Sequence, residues 1–108
     1  MLHLTANSKI YLASKPVDFR KHIDGLAAIC EQTLNQEPRS GNLFVFINKA
    51  STQVRVLCYE GNGYWLACKR LSRGRFKKFP CNNYVNQVAA HELKKILKGV
   101  LAKSNKSM

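Results

Sequence analysis

The sequence predicts an α+β domain, an antiparallel β-meander of about four to five short strands with two helices packed on one face. Three observations carry that prediction. The hydrophobic period is helical between Phe19 and Leu34, alternates from Leu43 onward, and becomes helical again after Asn82. The alternating stretches are joined by short Gly- and Asn-containing connectors of the kind that reverse a chain. Finally, 108 residues with 45% hydrophobic content are enough for one modest core without staples, so residues 1–108 are read as a single domain.

The elements follow in chain order. Lys9 to Ala13, "KIYLA", reads as a short strand with Ile10 and Leu12 on one side and Tyr11 on the other. Pro16 suits the first turn of a helix, where a missing N–H costs nothing. Phe19, Ile23, Leu26, Cys30 and Leu34 then recur at steps of four, three, four and four, predicting a helix from about Pro16 to Gln36 with Ile29 widening its stripe. Glu37 to Asn42 is a turn by composition. "LFVFINKA" sets Leu43, Val45 and Ile47 against Phe44 and Phe46, and "QVRVLCYE" sets Val54, Val56 and Cys58 against Arg55, Leu57 and Tyr59. Asn62-Gly63 is a hairpin-turn pair, leading into "GYWLACKRL", and Gly74 closes a turn into "GRFKKF", a fourth short strand candidate. From Asn82 a second helical stripe runs through Val85, Val88, Ala89, Leu93, Ile96, Leu97, Val100 and Leu101, with Asn82 or Asn83 as its cap. Residues from about 104 to 108 read as a frayed basic tail.

Several classes are excluded by composition. The apolar runs fall far below the ~20 residues of a membrane span, and the first residues lack the architecture of a signal peptide, which makes the cytoplasm the default compartment. The cysteines, at 30, 58, 68 and 81, show no metal-knuckle or redox spacing and read as reduced and structural. The acidic residues form no catalytic pattern. Asp18 and Asp24, six apart, would point about 120° apart on a helix, and Asp18 better suits the positive end of its helix. His3, His22 and His91 have no ligand spacing. No catalysis, cofactor or metal is assigned, and no small-molecule substrate is implied.

Charge is the dominant signal. Residues 1–60 carry seven Lys/Arg and five Asp/Glu, whereas residues 61–108 carry eleven Lys/Arg against Glu92 alone, within a chain of formal net charge +12. Such asymmetry points to a polyanionic partner, nucleic acid being the commonest. The plain alternative is a solvated basic surface without a specific ligand. Six of the ten residues from Lys69 to Lys78 are basic. Lys69, Arg70, Arg73, Arg75, Lys77 and Lys78 form the candidate nucleic-acid-binding set, since such groups take phosphate oxygens and release counterions. Arg20 and Lys21, off the stripe of the first helix, join them. Tyr64 is the candidate for stacking on bases, while Trp65, Phe76 and Phe79 are assigned to the core.

The chain resembles the TnpB accessory protein family (the second open reading frame product) of IS-66-type bacterial insertion sequences. The resemblance runs from about Lys9 to Pro80. One block, "P-x-D-x-R-K-x-x-D-G-L", is carried by Pro16, Asp18, Arg20, Lys21, Asp24, Gly25 and Leu26; the other, "K-R-L-x-x-G-R-F", by Lys69, Arg70, Leu71, Gly74, Arg75 and Phe76. It departs from the family pattern at Tyr59, Glu60, Ala67 and Cys68, where relatives often carry further aromatics and a D-G-x-G turn. The resemblance implies a role in transposition beside a separate, larger transposase that holds the catalytic carboxylates.

Together these readings lead to a non-catalytic, DNA-binding accessory protein of a mobile element, whose partners are the duplex ends of the element and its transposase. Three alternatives remain at this point. They are an RNA- or single-strand-binding module, a protein–protein adaptor for the transposase, and, weakest, a metal-dependent nuclease built on Asp18 and Asp24.

Overall fold

A computed structural model describes residues 8–79 and 85–99. The expected cap at Asn82 or Asn83, Cys81, Val100, Leu101 and the tail from about 104 lie outside the described residues. The α+β class holds. Among the described residues five strands, β1 (Ile10–Ala13), β2 (Leu43–Ile47), β3 (Gln53–Glu60), β4 (Gly63–Arg70) and β5 (Val85–Val88), form one sheet in the order β4-β3-β2-β1-β5. Two helices accompany it, α1 (Ile23–Gln32) between β1 and β2, and α2 (Ala90–Lys98) after β5.

The pairing is mostly antiparallel. β2–β3–β4 is the expected meander, with Val45 opposite Val56 and Val56 opposite Ala67. β1 pairs parallel to β2, Leu12 beside Val45, because α1 returns the chain to the end of the sheet from which β1 started. The β3–β4 hairpin turns at Gly61-Asn62, one residue earlier than the sequence predicts. Gly61 takes a φ of +67° while Asn62 stays at negative φ, the pattern of a II′ turn with glycine first.

Alternation along the central strands creates two separate cores. Ile10, Leu12, Leu43, Val45, Ile47, Val54, Val56 and Cys58 point to one face, where Phe76, Phe79 and Leu93 of α2 close over them. Phe44, Phe46 and Leu57 point to the other, under Leu26 and Cys30 of α1 with Val17 and Leu34. Each face therefore receives one helix, where the sequence reading put both helices on a single face. The cause is β2, whose five residues are all buried and which thus needs cover on both sides. The α1 stripe accordingly never meets Val88 or Ile96, which belong to the opposite core.

Four local expectations are corrected. First, α1 begins at Ile23, because residues 16–22 form a turn. In it the Val17 N–H donates to the Ile47 carbonyl (2.8 Å) and the Asp18 carboxylate accepts from the Arg20 N–H (2.9 Å). Phe19 and Ile23 still pack on the core, but only in part. The helix ends at Gln32, with Asn35 at φ 56° and the Gln36 N–H turning back to the Cys30 carbonyl.

Second, Val85–Val88 is a strand, antiparallel to β1, and α2 starts at Ala90 with the Glu92 carboxylate accepting from the Ala89 N–H (2.8 Å). Third, "GRFKKF" forms no ladder strand. Its Phe76 N–H donates to the Ser51 carbonyl (2.7 Å), which folds the segment back over the β2–β3 turn. Fourth, Trp65 is 47% exposed on β4, whereas Phe76 and Phe79 are buried as expected. Cys30 and Cys58 are buried free thiols, and burial pushes Cys30 up to about 12 and Cys58 upward as well. Cys68 is free and exposed.

Leu26 is fully buried beneath α1. Leu26→Ala should lower the unfolding free energy by ~2–5 kcal/mol, read from the urea midpoint at unchanged slope. A loss below ~1 kcal/mol would mean that α1 does not seal the Phe44–Phe46 face.

Candidate nucleic-acid interface

The topology gathers the cations at one end of the sheet. β1 leaves the sheet there into Lys15, β2 ends there before Lys49, and β4 ends there at Lys69 and Arg70. The segment carrying Arg73 and Arg75 is tied to the same end. The Leu71 N–H donates to the Thr52 carbonyl (3.0 Å), and the Phe76 N–H to that of Ser51. The β2–β3 turn that receives them is itself fixed by Asn48. Its carboxamide oxygen accepts from the Thr52 and Gln53 N–H groups (2.9 and 3.1 Å), and its nitrogen donates to the Thr52 hydroxyl (3.0 Å). Arg70, Arg73, Arg75, Lys77 and Lys78 are all exposed. The burial of Phe76 and Phe79 anchors the segment while Arg75, Lys77 and Lys78 stay exposed.

Arg20 and Lys21 reach this end from the opposite face. Arg55 of β3 holds their segment to the sheet. Its Nη1 donates to the Lys21 carbonyl (2.8 Å), and its guanidinium carbon sits 4.4 Å from the centre of the Phe19 ring. Arg20 itself is engaged by Asp18, with Nε and Nη2 donating to the carboxylate at 3.0 and 2.7 Å. A shallow cavity of about 430 Å³ opens between this turn and the β2–β3 turn, lined by Asp18, Phe19, Arg20, Asn48 and Lys49. A neighbouring one of about 310 Å³ adds Lys15 and Lys21. Lys15 and Lys49 were not singled out from the sequence. Their signal was position, each standing two residues beyond a strand end.

Not every candidate joins the cluster in the same way. Lys69 is exposed, yet its ammonium donates to the Leu97 carbonyl (2.7 Å), where it meets the negative end of α2. That bond fixes the C-terminal end of α2, and with it Lys95 and Lys98, at the basic end. Tyr64 stands at the other end of β4, about 20 Å away along the strand. There it packs edge-on against Tyr59 at 4.9 Å and lines a cavity of about 390 Å³ with Asp24, Glu31, Glu37 and Arg39. Asp24 and Glu31 share that helix face because they are seven residues apart, two turns of α1. Among the described residues no group of three His, Cys, Asp or Glu side chains is arranged to hold a metal ion, and no helix is long and apolar enough to cross a membrane.

Comparison with known proteins gives a consistent answer. Residues 8–107 match the model of the TnpB_IS66 family, described as "IS66 Orf2 like protein". Two relatives come from Sinorhizobium fredii (strain NBRC 101917 / NGR234). The uncharacterized protein y4jC is 30% identical over 92 residues, covering 85% of this chain and 79% of the relative. The uncharacterized protein y4hO is 36% identical over 76 residues, covering 70% of this chain and 66% of the relative. No solved structure matches the chain.

Hydrogen bonds from the Arg20 side chain and N–H, with the charge of Arg20, hold the Asp18 carboxyl down at about 2. An unfolded aspartate titrates near 3.8. The turn is therefore favoured above the unfolded value, and that contribution is lost as pH falls through about 2. Carboxyl-detected NMR titration should place Asp18 near 2 and, in Arg20→Ala, closer to 3.8. An ordinary midpoint in the unaltered protein would show that Asp18 does not organise the turn.

Proposed function

The chain belongs to the IS66 Orf2-like family, and on that premise we propose that it is a non-catalytic accessory protein that holds duplex DNA at its basic end. The observation that supports this reading is the convergence of Lys15, Arg20, Lys21, Lys49, Arg73 and Arg75 on one end of the sheet. Asp18 is the acidic residue lining the two cavities there, and it is already paired with Arg20. A surface of this kind suits the phosphate backbone, because every cation that meets a phosphate releases a condensed counterion. Exposed cations of this kind meet phosphate oxygens first, and such contacts set affinity and register without reading sequence. Lys77 and Lys78 extend the surface along the chain, and Lys95 and Lys98 flank it from α2. The DNA would be that of the element's ends, and the catalytic steps would belong to the transposase.

Titration of the full chain against a short duplex across salt concentrations tests this reading. With about five phosphate contacts, log affinity should fall against log salt with a slope near −4.5, about 500-fold between roughly 50 and 200 mM. Arg73→Ala with Arg75→Ala should flatten that slope by about two and leave folding intact, because both side chains are exposed. A slope unchanged by that pair would move the contacts elsewhere. Absence of binding to any nucleic acid at low salt would assign the basic end to an acidic surface of the transposase instead.

A further inference from the structure

β4 is an edge strand of eight residues, and among the described residues nothing pairs with its outer side. The Leu71 N–H bonds inward to Thr52, and inward bonding recurs every second residue in an antiparallel ladder. Lys69, Ala67, Trp65 and Gly63 therefore face β3, and the N–H and C=O groups of Tyr64, Leu66, Cys68 and Arg70 face outward. Edges this long and regular are templates for another strand unless they are blocked. This one has no proline and no bulge. It also carries an exposed tryptophan, Trp65, at mid-strand.

We propose that the occupant of this edge is β4 of a second copy of the chain, paired antiparallel about a two-fold axis through Ala67. The backbone requires the axis to pass through a residue of β4, since outward-facing residues can bond only to outward-facing residues, and the placement of the charges selects Ala67 among these. An axis at Ala67 pairs Leu66 with Cys68, and Tyr64 with Arg70. It also sets Trp65 opposite Lys69 on the α2 face. Arg70 then enters the groove beside the partner's Tyr64, where three carboxylates, Asp24, Glu31 and Glu37, outnumber the one cation, Arg39, which stacks over Tyr59. This net-acidic groove and Arg70, which has no ion pair among the described residues, lie on the same, α1-side, face of the strand, at opposite ends. That is the placement a two-fold pairing makes self-complementary. The Lys69 ammonium is already held by Leu97, which leaves its aliphatic stem to cover the indole of Trp65. Such a dimer carries its two basic ends pointing in opposite directions, so it offers two separate anionic-ligand surfaces.

Sedimentation of the full chain at about 0.5 M salt, where the Debye length is near 4 Å and net-charge repulsion is screened, should show a concentration-dependent dimer. Cys68→Pro removes an outward N–H while leaving the β3 ladder intact, and should weaken dimerisation at least ~10-fold with the thermal midpoint of the monomer little changed. Arg70→Glu and Glu31→Arg should each weaken it, and the double variant should restore it, a rescue that a merely structural role would not produce. In a Cys68→Ser background, Ala67→Cys should form a disulfide-linked dimer on mild oxidation, because Ala67 faces its own copy. A monomer at every concentration would overturn the proposal. So would a dimer indifferent to Cys68→Pro, or one in which Ala67→Cys fails to cross-link.

Discussion

Strand β2 buries all five of its side chains, and the rest of the architecture answers to that constraint. Phe44 and Phe46 require cover on one face, Leu43, Val45 and Ile47 on the other. One helix cannot serve both. The chain therefore places α1 over the phenylalanines, directly between β1 and β2, and brings α2 across the opposite face after the last strand. Burial of each such side chain is worth roughly 1.5–3 kcal/mol, so leaving either face open would forfeit much of the stability of a domain this small. The parallel β1–β2 pair is a consequence, since a helical crossover delivers the chain back to the starting end of the sheet.

The same topology sorts the charges. With β1 and β2 running together and β4 running with them, three strands discharge at one end. The residues just beyond them, Lys15, Lys49 and Arg70 with the following arginines, are brought together although they are far apart in sequence. The carboxylates Asp24, Glu31 and Glu37 are left on the outer side of α1 and the turn after it. Concentrating positive charge in this way destabilises the compact state by self-repulsion. The fold offsets some of it locally, with Asp18 on Arg20 and the Leu97 carbonyl on Lys69.

Much of this was legible in the sequence, and the failures have physical causes. β1, β2, β3 and β4 were readable because alternation with period two survives even when both faces are buried. The start of α1 is hidden in the sequence because Phe19 sits four residues before Ile23, a helical step, while Asp18 and Arg20 close a turn that no periodicity reports. β5 reads as helix in the sequence because Val85 and Val88 are three apart, and its strand partner, β1, is more than seventy residues away. Hydrophobicity alone places Trp65 in the core. On an edge strand, its face lies partly beyond the reach of α2. Of the candidate site, the basic residues from Lys69 to Lys78 were visible as a run. Lys15 and Lys49 needed the strand order, and Tyr64 was separated from the run by the length of β4.

Arg55 shows what kind of surface the basic end is. It stands on a central strand among apolar neighbours, where a carboxylate partner would be expected. Instead it stacks on Phe19 and donates to the Lys21 carbonyl, and its buried Nε has no partner among the described residues. The turn that carries Arg20 and Lys21 is thus fastened to the sheet by a cation that has no carboxylate partner among the described residues. A fold that only had to close this junction could have used an apolar residue or an ion pair. Arg55 instead adds to the positive field of the groups above it, so the packing of this junction and the charge of the basic end are set by the same residue.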